Sequence, residues 1–209
     1  MRLPGGPLLS LRIRPLAEAI ASEWQAAGGG KGGSWSAYDV PLTRIACTAQ
    51  ERVSADPAAI VAVLVQYAAA DLLCYRAEAP AALVDRQTRD WQPWLDWVQD
   101  RYAVELRVVH GLTHADQPDR SLAAMHKVLA VRSAFELAGL AVLVPALGSL
   151  VLSLAVADGA LDAGAAHDLA LLDELYQAEK WGDDHEAVVR RQHIAADVES
   201  AAQFIGLVT

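Results

Sequence analysis

Apolar residues recur along most of the chain at the three- to four-residue spacing of an α-helix that buries one face. Leu16, Ile20 and Trp24 form the first such stripe, and Pro15 suits the first turn of its helix. Similar stripes follow each later residue that can begin a helix: Pro41, Asp56, Pro80, Pro118, Ser133, Asp162, and Asp183 or Asp184. The pattern therefore predicts a mainly α-helical fold of about eight helices.

Two segments depart from the helical spacing. Residues 1–14 combine Pro-Gly-Gly with a short apolar run, which fits one strand or a turn. Further along, Val104, Leu106 and Val108 alternate with charged residues. This period of two predicts a short strand that ends at Gly111. The expected β content is therefore small.

Residues 137–157 form a run without a charged side chain, as long as a membrane-spanning helix. Pro145 lies inside this run, glycines and serines dilute it, and no cluster of Lys and Arg flanks it. A helix that is hydrophobic on all sides also occurs at the centre of a helical bundle. We therefore expect buried core helices, divided or kinked at Pro145, rather than a membrane span.

The charge balance excludes one class of partner. The chain has 17 Lys and Arg against 26 Asp and Glu, a formal net charge of −9. Such a surface repels a phosphate backbone, so nucleic-acid binding is not expected. Cys47 and Cys74 lie in helical patterns and are expected to be small buried side chains. No secretory leader is recognisable, so we expect a bacterial cytoplasmic location, or the mitochondrial matrix if the source is eukaryotic.

No arrangement of catalytic or metal-binding side chains is recognisable. The glycines around Lys31 lack the Ser or Thr that follows the lysine of a phosphate-binding loop, and a helix precedes them instead of a strand. His110 and His114 have a zinc-like spacing, but Gly111 predicts a turn there and no third ligand is near in sequence. We therefore expect no enzymatic activity, no cofactor and no metal.

Negative charge is concentrated between Asp162 and Glu186, where eight carboxylates accompany a single lysine, Lys180. This segment holds a net −7 of the chain's −9 and also contains Tyr176 and Trp181. Aromatic side chains beside charge of one sign are typical of a surface that docks another protein, because charge steers the encounter and the rings supply affinity. A solvated helix face is the alternative.

Helical geometry separates the two adjacent carboxylates of this segment. Asp173 shares one helix face with Gln177 and Lys180, whereas Glu174 projects about 100° away. The two carboxylates therefore need not have the same role. The candidate partner-binding residues of the segment are Asp173, Glu174, Tyr176, Gln177 and Trp181.

Three tryptophans lie close together earlier in the chain. Trp91 and Trp94 belong to a core-facing stripe, whereas Trp97 lies off it and is a sixth candidate for partner binding. A small helical ligand-binding protein or enzyme, with a pocket lined by Trp91 and Trp94, is the alternative to a docking protein. That alternative predicts convergent polar groups with shifted pKa values.

Six segments, in order along the chain, resemble the assembly chaperones of the F1 sector of ATP synthase that bind its alpha subunit, of the mitochondrial and alphaproteobacterial type. They are LAEAIASEW (16–24), PLTRIACTAQERV (41–53), DLLCYRAEAP (71–80), QTRDWQPWLDW (87–97), GSLVLSLAVADG (148–159) and LDELYQAEKWGDD (172–184). None is a catalytic motif by itself. The specificity comes from their joint occurrence over about 170 residues.

The resemblance implies a small N-terminal β-rich domain followed by a larger helical domain. Here residues 1–14 leave room only for a remnant of the first, and residues 15–209 would form the helical chaperone domain. The resemblance implies no enzymatic activity. The partner would be the unassembled alpha subunit, whose subunit interface is shielded until F1 is assembled. An acidic residue before Tyr-Gln matters in the family, and both Asp173 and Glu174 match it. A monomer that does not span a membrane is expected.

Overall fold

The computed structural model describes residues 8–28, 36–111, 113–114 and 116–209. Most of these residues belong to helices: α1 (Arg14–Ala26), α2 (Pro41–Thr48), α3 (Pro57–Ala69), α4 (Ala81–Tyr102), α5 (Asp119–Ala130), α6 (Ala134–Leu147), α7 (Leu150–Ala157), α8 (Ala163–Ala170), α9 (Leu172–Trp181) and α10 (His185–Val208). Two short strands, β1 (Tyr75–Arg76) and β2 (Val109–His110), pair in parallel. The prediction of a mainly α fold is confirmed.

The described residues form ten α-helices where about eight were expected. The segment after Asp162, which was predicted as one helix, breaks at Leu171 into α8 and α9. The uncharged run forms two helices, α6 and α7, as the expected division of that run allows. Asp162 caps α8 as predicted, since its carboxylate accepts the backbone N–H groups of Gly164 and Ala165.

The uncharged run lies in the core. Every residue of α7 is buried, as is most of one side of α6. The break between them is at Gly148, which adopts a left-handed conformation with φ of 62°, and Ser149 then caps α7. The expected division of the run is confirmed, but its position at Pro145 was wrong by three residues. Pro145 lies in the last turn of α6 and is exposed, whereas glycine can take the positive φ that ends a helix.

A different stretch has the composition of a membrane span. Among the described residues, Pro57–Cys74 is long and apolar enough by that criterion, and 33% of it is buried. It comprises α3 and the 3-10 turn Leu72–Cys74. Helices in the core of a water-soluble protein satisfy the same criterion, so composition alone does not distinguish the two environments.

The strand expected to run from Val104 to Gly111 forms only at its end. Val109–His110 pairs with β1 and Gly111 is a turn, while Val104 is buried outside any strand. The Gln117 side chain explains the difference, because it accepts a hydrogen bond from the Arg107 N–H (2.7 Å) and donates one to the Arg107 carbonyl (2.9 Å). An amide side chain therefore occupies the backbone groups that a neighbouring strand would otherwise bind.

Residues 8–13 precede α1 and are held in a similar way. Gln50 accepts a hydrogen bond from the Ser10 N–H (2.9 Å) and donates one to the Leu8 carbonyl (3.0 Å). Leu8 is a single β-bridge residue, and α1 begins at Arg14. Residues 1–7 lie outside the described part of the chain. The division into a β remnant at 1–14 and a helical domain at 15–209 stays a prediction.

A buried carboxylate joins two distant parts of the core. Asp71 is 0% exposed and accepts hydrogen bonds from the Leu73 N–H (3.1 Å), the Ser149 hydroxyl (2.8 Å) and the Val151 N–H (3.1 Å). Burial raises its pKa to about 6, although these hydrogen bonds oppose the shift. Asp71 therefore fixes the 3-10 turn before β1 against the first turn of α7.

Helices α6 and α10 approach closely at Gly139. A Cβ atom there would lie 2.5 Å from Cγ1 of Ile205, a buried residue of α10. Gly139→Val is therefore expected to lower the free energy of unfolding by about 1–3 kcal/mol, measured by urea denaturation. Gly206→Ala is the control, because a Cβ there meets nothing within 4 Å. Its stability should stay equal or rise by up to about 1 kcal/mol. Equal losses at both positions would contradict the packing explanation.

Candidate partner-binding site

Helix α9 carries most of the candidate residues, and α4 holds it in place. The Trp91 indole N–H donates to the Leu169 carbonyl (2.9 Å), which fixes the end of α8 just before α9 begins. Further along, Arg86 donates from one nitrogen to both carboxylate oxygens of Glu179 (2.8 and 2.9 Å). These contacts anchor α9 near both of its ends, so its outer side chains lie on a positioned scaffold.

Asp173 is the outer end of a chain of polar contacts that starts in the core. The Gln87 amide donates to Oδ1 of Asp173 (2.7 Å) and accepts from the Ala77 N–H (2.8 Å). The backbone carbonyl of Gln87 accepts a hydrogen bond from Nη1 of Arg76 (2.7 Å). Gln87 is fully buried, whereas Asp173 is half-buried. The carboxylate of Asp173 is therefore oriented by α4 rather than free to rotate.

Arg76 is a buried cation at the inner end of this chain. It is 3% exposed, its Nε donates to the Leu73 carbonyl (2.9 Å), and its guanidinium lies 5.4 Å from the centroid of the Trp91 ring. Among the described residues, its Nη2 has no hydrogen-bond partner. Burial lowers the pKa of Arg76. The helical spacing after Pro80 includes Gln87 in the core-facing stripe, and its burial confirms this. No sequence pattern marked Arg76 or showed which residues Gln87 binds.

Glu174 faces a different helix. It accepts hydrogen bonds from Arg190 (2.9 Å to both oxygens) and from Arg191 (3.1 Å), both on α10. Arg191 also pairs with Asp183. The two adjacent carboxylates thus have separate partners, which confirms that Asp173 and Glu174 project in different directions.

Arginines outside the acidic segment neutralise part of it. Glu174, Glu179 and Asp183 each pair with an arginine, from α4 or from α10. Asp162 and Asp184 accept backbone N–H groups as helix caps. The local field is therefore weaker than the segment's net charge alone indicated. The sequence could not show this, since Arg86 lies 93 residues before Glu179.

The aromatic candidates differ in exposure. Trp181 ends α9 and is 79% exposed, whereas Tyr176 is half-buried with the Lys180 ammonium 5.5 Å from its ring centroid. Gln177 is exposed. Trp97 lies on α4, half-buried, in edge-to-face contact with Trp94 at 6.3 Å between centroids. Five of the six candidates therefore share α9, and a role for Trp97 in partner binding stays a prediction.

The tryptophan-lined pocket of the alternative hypothesis has little support in this arrangement. Trp91 is 0% exposed and bonded to a backbone carbonyl, so it fills the core instead of lining an open cavity. The two thiols are also unsuited to nucleophilic chemistry, because burial raises the pKa of Cys47 to about 11 and that of Cys74 to about 12. Within the described ranges, no group of three His, Cys, Asp or Glu side chains is placed to hold a metal ion.

Comparison with known proteins places the chain in a family. The model of the ATP12 chaperone protein family matches residues 1–99. The crystal structure of Atp12 from Paracoccus denitrificans is 37% identical with a TM-score of 0.93, and the alignment covers 100% of this chain and 88% of that one. The chain belongs to the ATP12 chaperone family.

Two further structures support this membership. An Asp-to-Lys mutant of Paracoccus denitrificans Atp12p aligns with the same identity, TM-score and coverage. A candidate chaperone from Agrobacterium tumefaciens is 34% identical with a TM-score of 0.92, over 100% of this chain and 76% of that one. The resemblance inferred from the six sequence segments is thus confirmed. This ATP12 family member is a chaperone, and α9 is its best candidate for a client-binding helix.

Proposed function

We propose that this ATP12 family member binds the unassembled alpha subunit of F1-ATPase and shields its subunit interface until F1 is assembled. The physical reason is mass action: a bare apolar interface favours aggregation, and a temporary partner lowers its free concentration. The observation that carries the proposal is α9, where an exposed tryptophan and two oriented carboxylates lie on a helix anchored to α4.

Trp181 is the proposed affinity anchor. Large aromatic side chains supply a disproportionate share of binding energy when a partner buries them. Trp181 is 79% exposed and contributes little to the core. Its removal should therefore change binding without changing the fold. Asp173 and Glu174 would steer and orient the client, with Asp173 the better placed because Gln87 fixes its carboxylate.

Trp181→Ala is expected to weaken binding of isolated alpha subunit by at least about 30-fold in isothermal titration, because an interface aromatic typically contributes about 2 kcal/mol or more. Its free energy of unfolding should change by less than about 0.5 kcal/mol. Tyr38→Ala is the matched control, since Tyr38 is 83% exposed but lies before α2. Its affinity should equal that of the wild type. Absence of wild-type binding at tens of micromolar would reject the proposed function.

The two carboxylates call for different substitutions. Asp173→Asn keeps an oxygen for the Gln87 amide and removes only the charge, so affinity should fall while stability holds. Asp173→Lys should weaken F1 assembly further. Glu174→Lys places a third cation beside Arg190 and Arg191, so it should lower both assembly and the melting temperature. Normal assembly with Asp173→Asn and Asp173→Lys would remove Asp173 from the site.

We also propose a bacterial cytoplasmic location, with a monomeric protein that meets its client before F1 joins the membrane sector. The relatives from Paracoccus and Agrobacterium, both bacteria, support this location. Cell fractionation of the native host and size-exclusion chromatography of the purified protein test the two statements. Recovery in the washed membrane fraction would reject the cytoplasmic location. Elution as a dimer would reject the monomeric state.

A further inference from the structure

A small groove lies between α4 and the α8–α9 corner. Its volume is about 290 Å³, and its apolar wall consists of Leu169, Leu172 and Leu175, with Ala165 at the opening. Leu172 is 4% exposed, and the Trp91 bond to the Leu169 carbonyl fixes the corner that the leucines occupy. The groove is therefore part of the packed scaffold and exists before any partner arrives.

The size and lining of the groove restrict its occupant. A volume of about 290 Å³ lies at the lower end of the roughly 300–1,000 Å³ of small-molecule pockets and has room for one bulky side chain. Three leucines and an alanine form the apolar part of the lining, and Arg86, Asp90 and Asp168 form the charged part. An apolar side chain seated against the leucines gains by leaving water, and a charged neighbour can meet the polar side of the groove.

Arg86, Asp90 and Asp168 also line the groove, and their charges determine which residue can stand next to that apolar side chain. Arg86 is already paired with Glu179, and Asp90 with Arg89. The Asp168 side chain is 74% exposed, and among the described residues its only ionic contact is with His167 at 3.6 Å. Asp168 is thus the charged side chain that remains available to an incoming segment. Its carboxylate complements Arg or Lys.

We propose that this groove receives a segment of the client in which a bulky apolar side chain stands next to Arg or Lys, with the basic group on Asp168. The inference rests on the proposed function and extends it by naming the chemistry of the recognised segment. Leu172 and Trp181 lie nine residues apart on α9, about 13 Å along the helix. At about 100° per residue they project from opposite sides of α9, so the groove is a contact separate from the Trp181 anchor.

Filling the groove is the first test. Ala165 is exposed on α8, so Ala165→Phe can occupy the groove without disturbing the core, and Ala123→Phe on the exposed face of α5 is its matched control. Affinity for isolated alpha subunit should fall at least about tenfold with Ala165→Phe and stay unchanged with Ala123→Phe, at equal melting temperatures. Unchanged affinity with Ala165→Phe while Trp181→Ala weakens binding overturns the groove and leaves the proposed function standing.

A second test needs no alpha subunit. Two capped tetrapeptides, Gly-Phe-Arg-Gly and Gly-Phe-Glu-Gly, are titrated into the ¹⁵N-labelled protein. The arginine peptide should shift the amide signals of Ala165, Asp168 and Leu172, and the glutamate peptide should shift them much less. Asp168→Lys should reverse that preference. Equal shifts with both peptides, or none with either, overturn the inference even if the alpha subunit binds.

Discussion

Replacing Asp71 with alanine is expected to lower the free energy of unfolding by about 3–5 kcal/mol, one of the largest losses available to a single substitution in this chain. The substitution leaves the Leu73 N–H, the Val151 N–H and the Ser149 hydroxyl without their acceptor in a site with no solvent exposure. Urea denaturation at pH 7 measures the loss. A change below about 1 kcal/mol would show that water or a rearranged neighbour satisfies these donors.

The pH dependence of stability gives Asp71 a second signature. Its pKa in the folded protein, about 6, lies above the unfolded value of 3.8, so the folded state binds the proton more tightly. The stability that comes from protonation of Asp71 is therefore fully present below about pH 4 and is lost as the pH rises through 6, while the hydrogen bonds that Asp71 accepts remain. Asp71→Asn should remove that pH dependence. It should also be less stable than the wild type at pH 5, because its amide group faces the Val151 N–H.

Arg132→Leu is expected to cost about 2–4 kcal/mol, somewhat less than the loss of one partner from a fully buried ion pair. Arg132 joins three elements, because it donates to Asp158 after α7 (2.6 Å), Glu136 on α6 (3.1 Å) and the Tyr102 hydroxyl on α4 (3.0 Å). The side chains of Arg132, Asp158 and Glu136 are 11–15% exposed. The substitution removes the guanidinium that binds the carboxylates of Asp158 and Glu136, which have little access to solvent.

Arg101→Leu is the matched control for this prediction. Arg101 also pairs with Asp158, but at 3.3 Å and with 59% of its side chain exposed, so its loss should be below about 1 kcal/mol. Burial opposes the effect, yet hydrogen bonds from Arg132 and Tyr102 hold the pKa of Asp158 below its usual range, and hydrogen bonds with Ser133, followed by Arg132, do the same for Glu136. That stability is present at neutral pH and is lost as the pH falls below about 4. Comparable losses at Arg101 and Arg132 in urea denaturation would contradict this account.

The helical architecture could be predicted from the sequence because helix periodicity and capping residues are local signals. Asp162 and Ser133 cap the helices that they were expected to begin. The break at Gly148 was missed, since proline marks a helix end more visibly than a glycine within an apolar run. Locally encoded features were therefore recovered, with errors of a few residues at boundaries.

The polar contacts that build the candidate site could not be predicted in the same way. Gln87 reaches Asp173 across 86 residues, and Arg86 reaches Glu179 across 93. Such pairs depend on how helices cross, which a single sequence does not specify. The segment LDELYQAEKWGDD still located the helix, because an acidic and aromatic composition is a local property. The sequence thus indicated where α9 would be and left open what holds its carboxylates.

The long span between Asp71 and its partners has a consequence for biosynthesis. Ser149 and Val151 lie 78 and 80 residues beyond Asp71, so neither exists when Asp71 leaves the ribosome. At about 5–20 residues per second, the ribosome needs roughly 4–16 s to deliver them. Throughout that interval the carboxylate of Asp71 lacks its partners from α7 and stays hydrated, and the apolar α3 remains uncovered. This ATP12 family member, itself a chaperone, therefore exposes apolar surface of its own while it is being made.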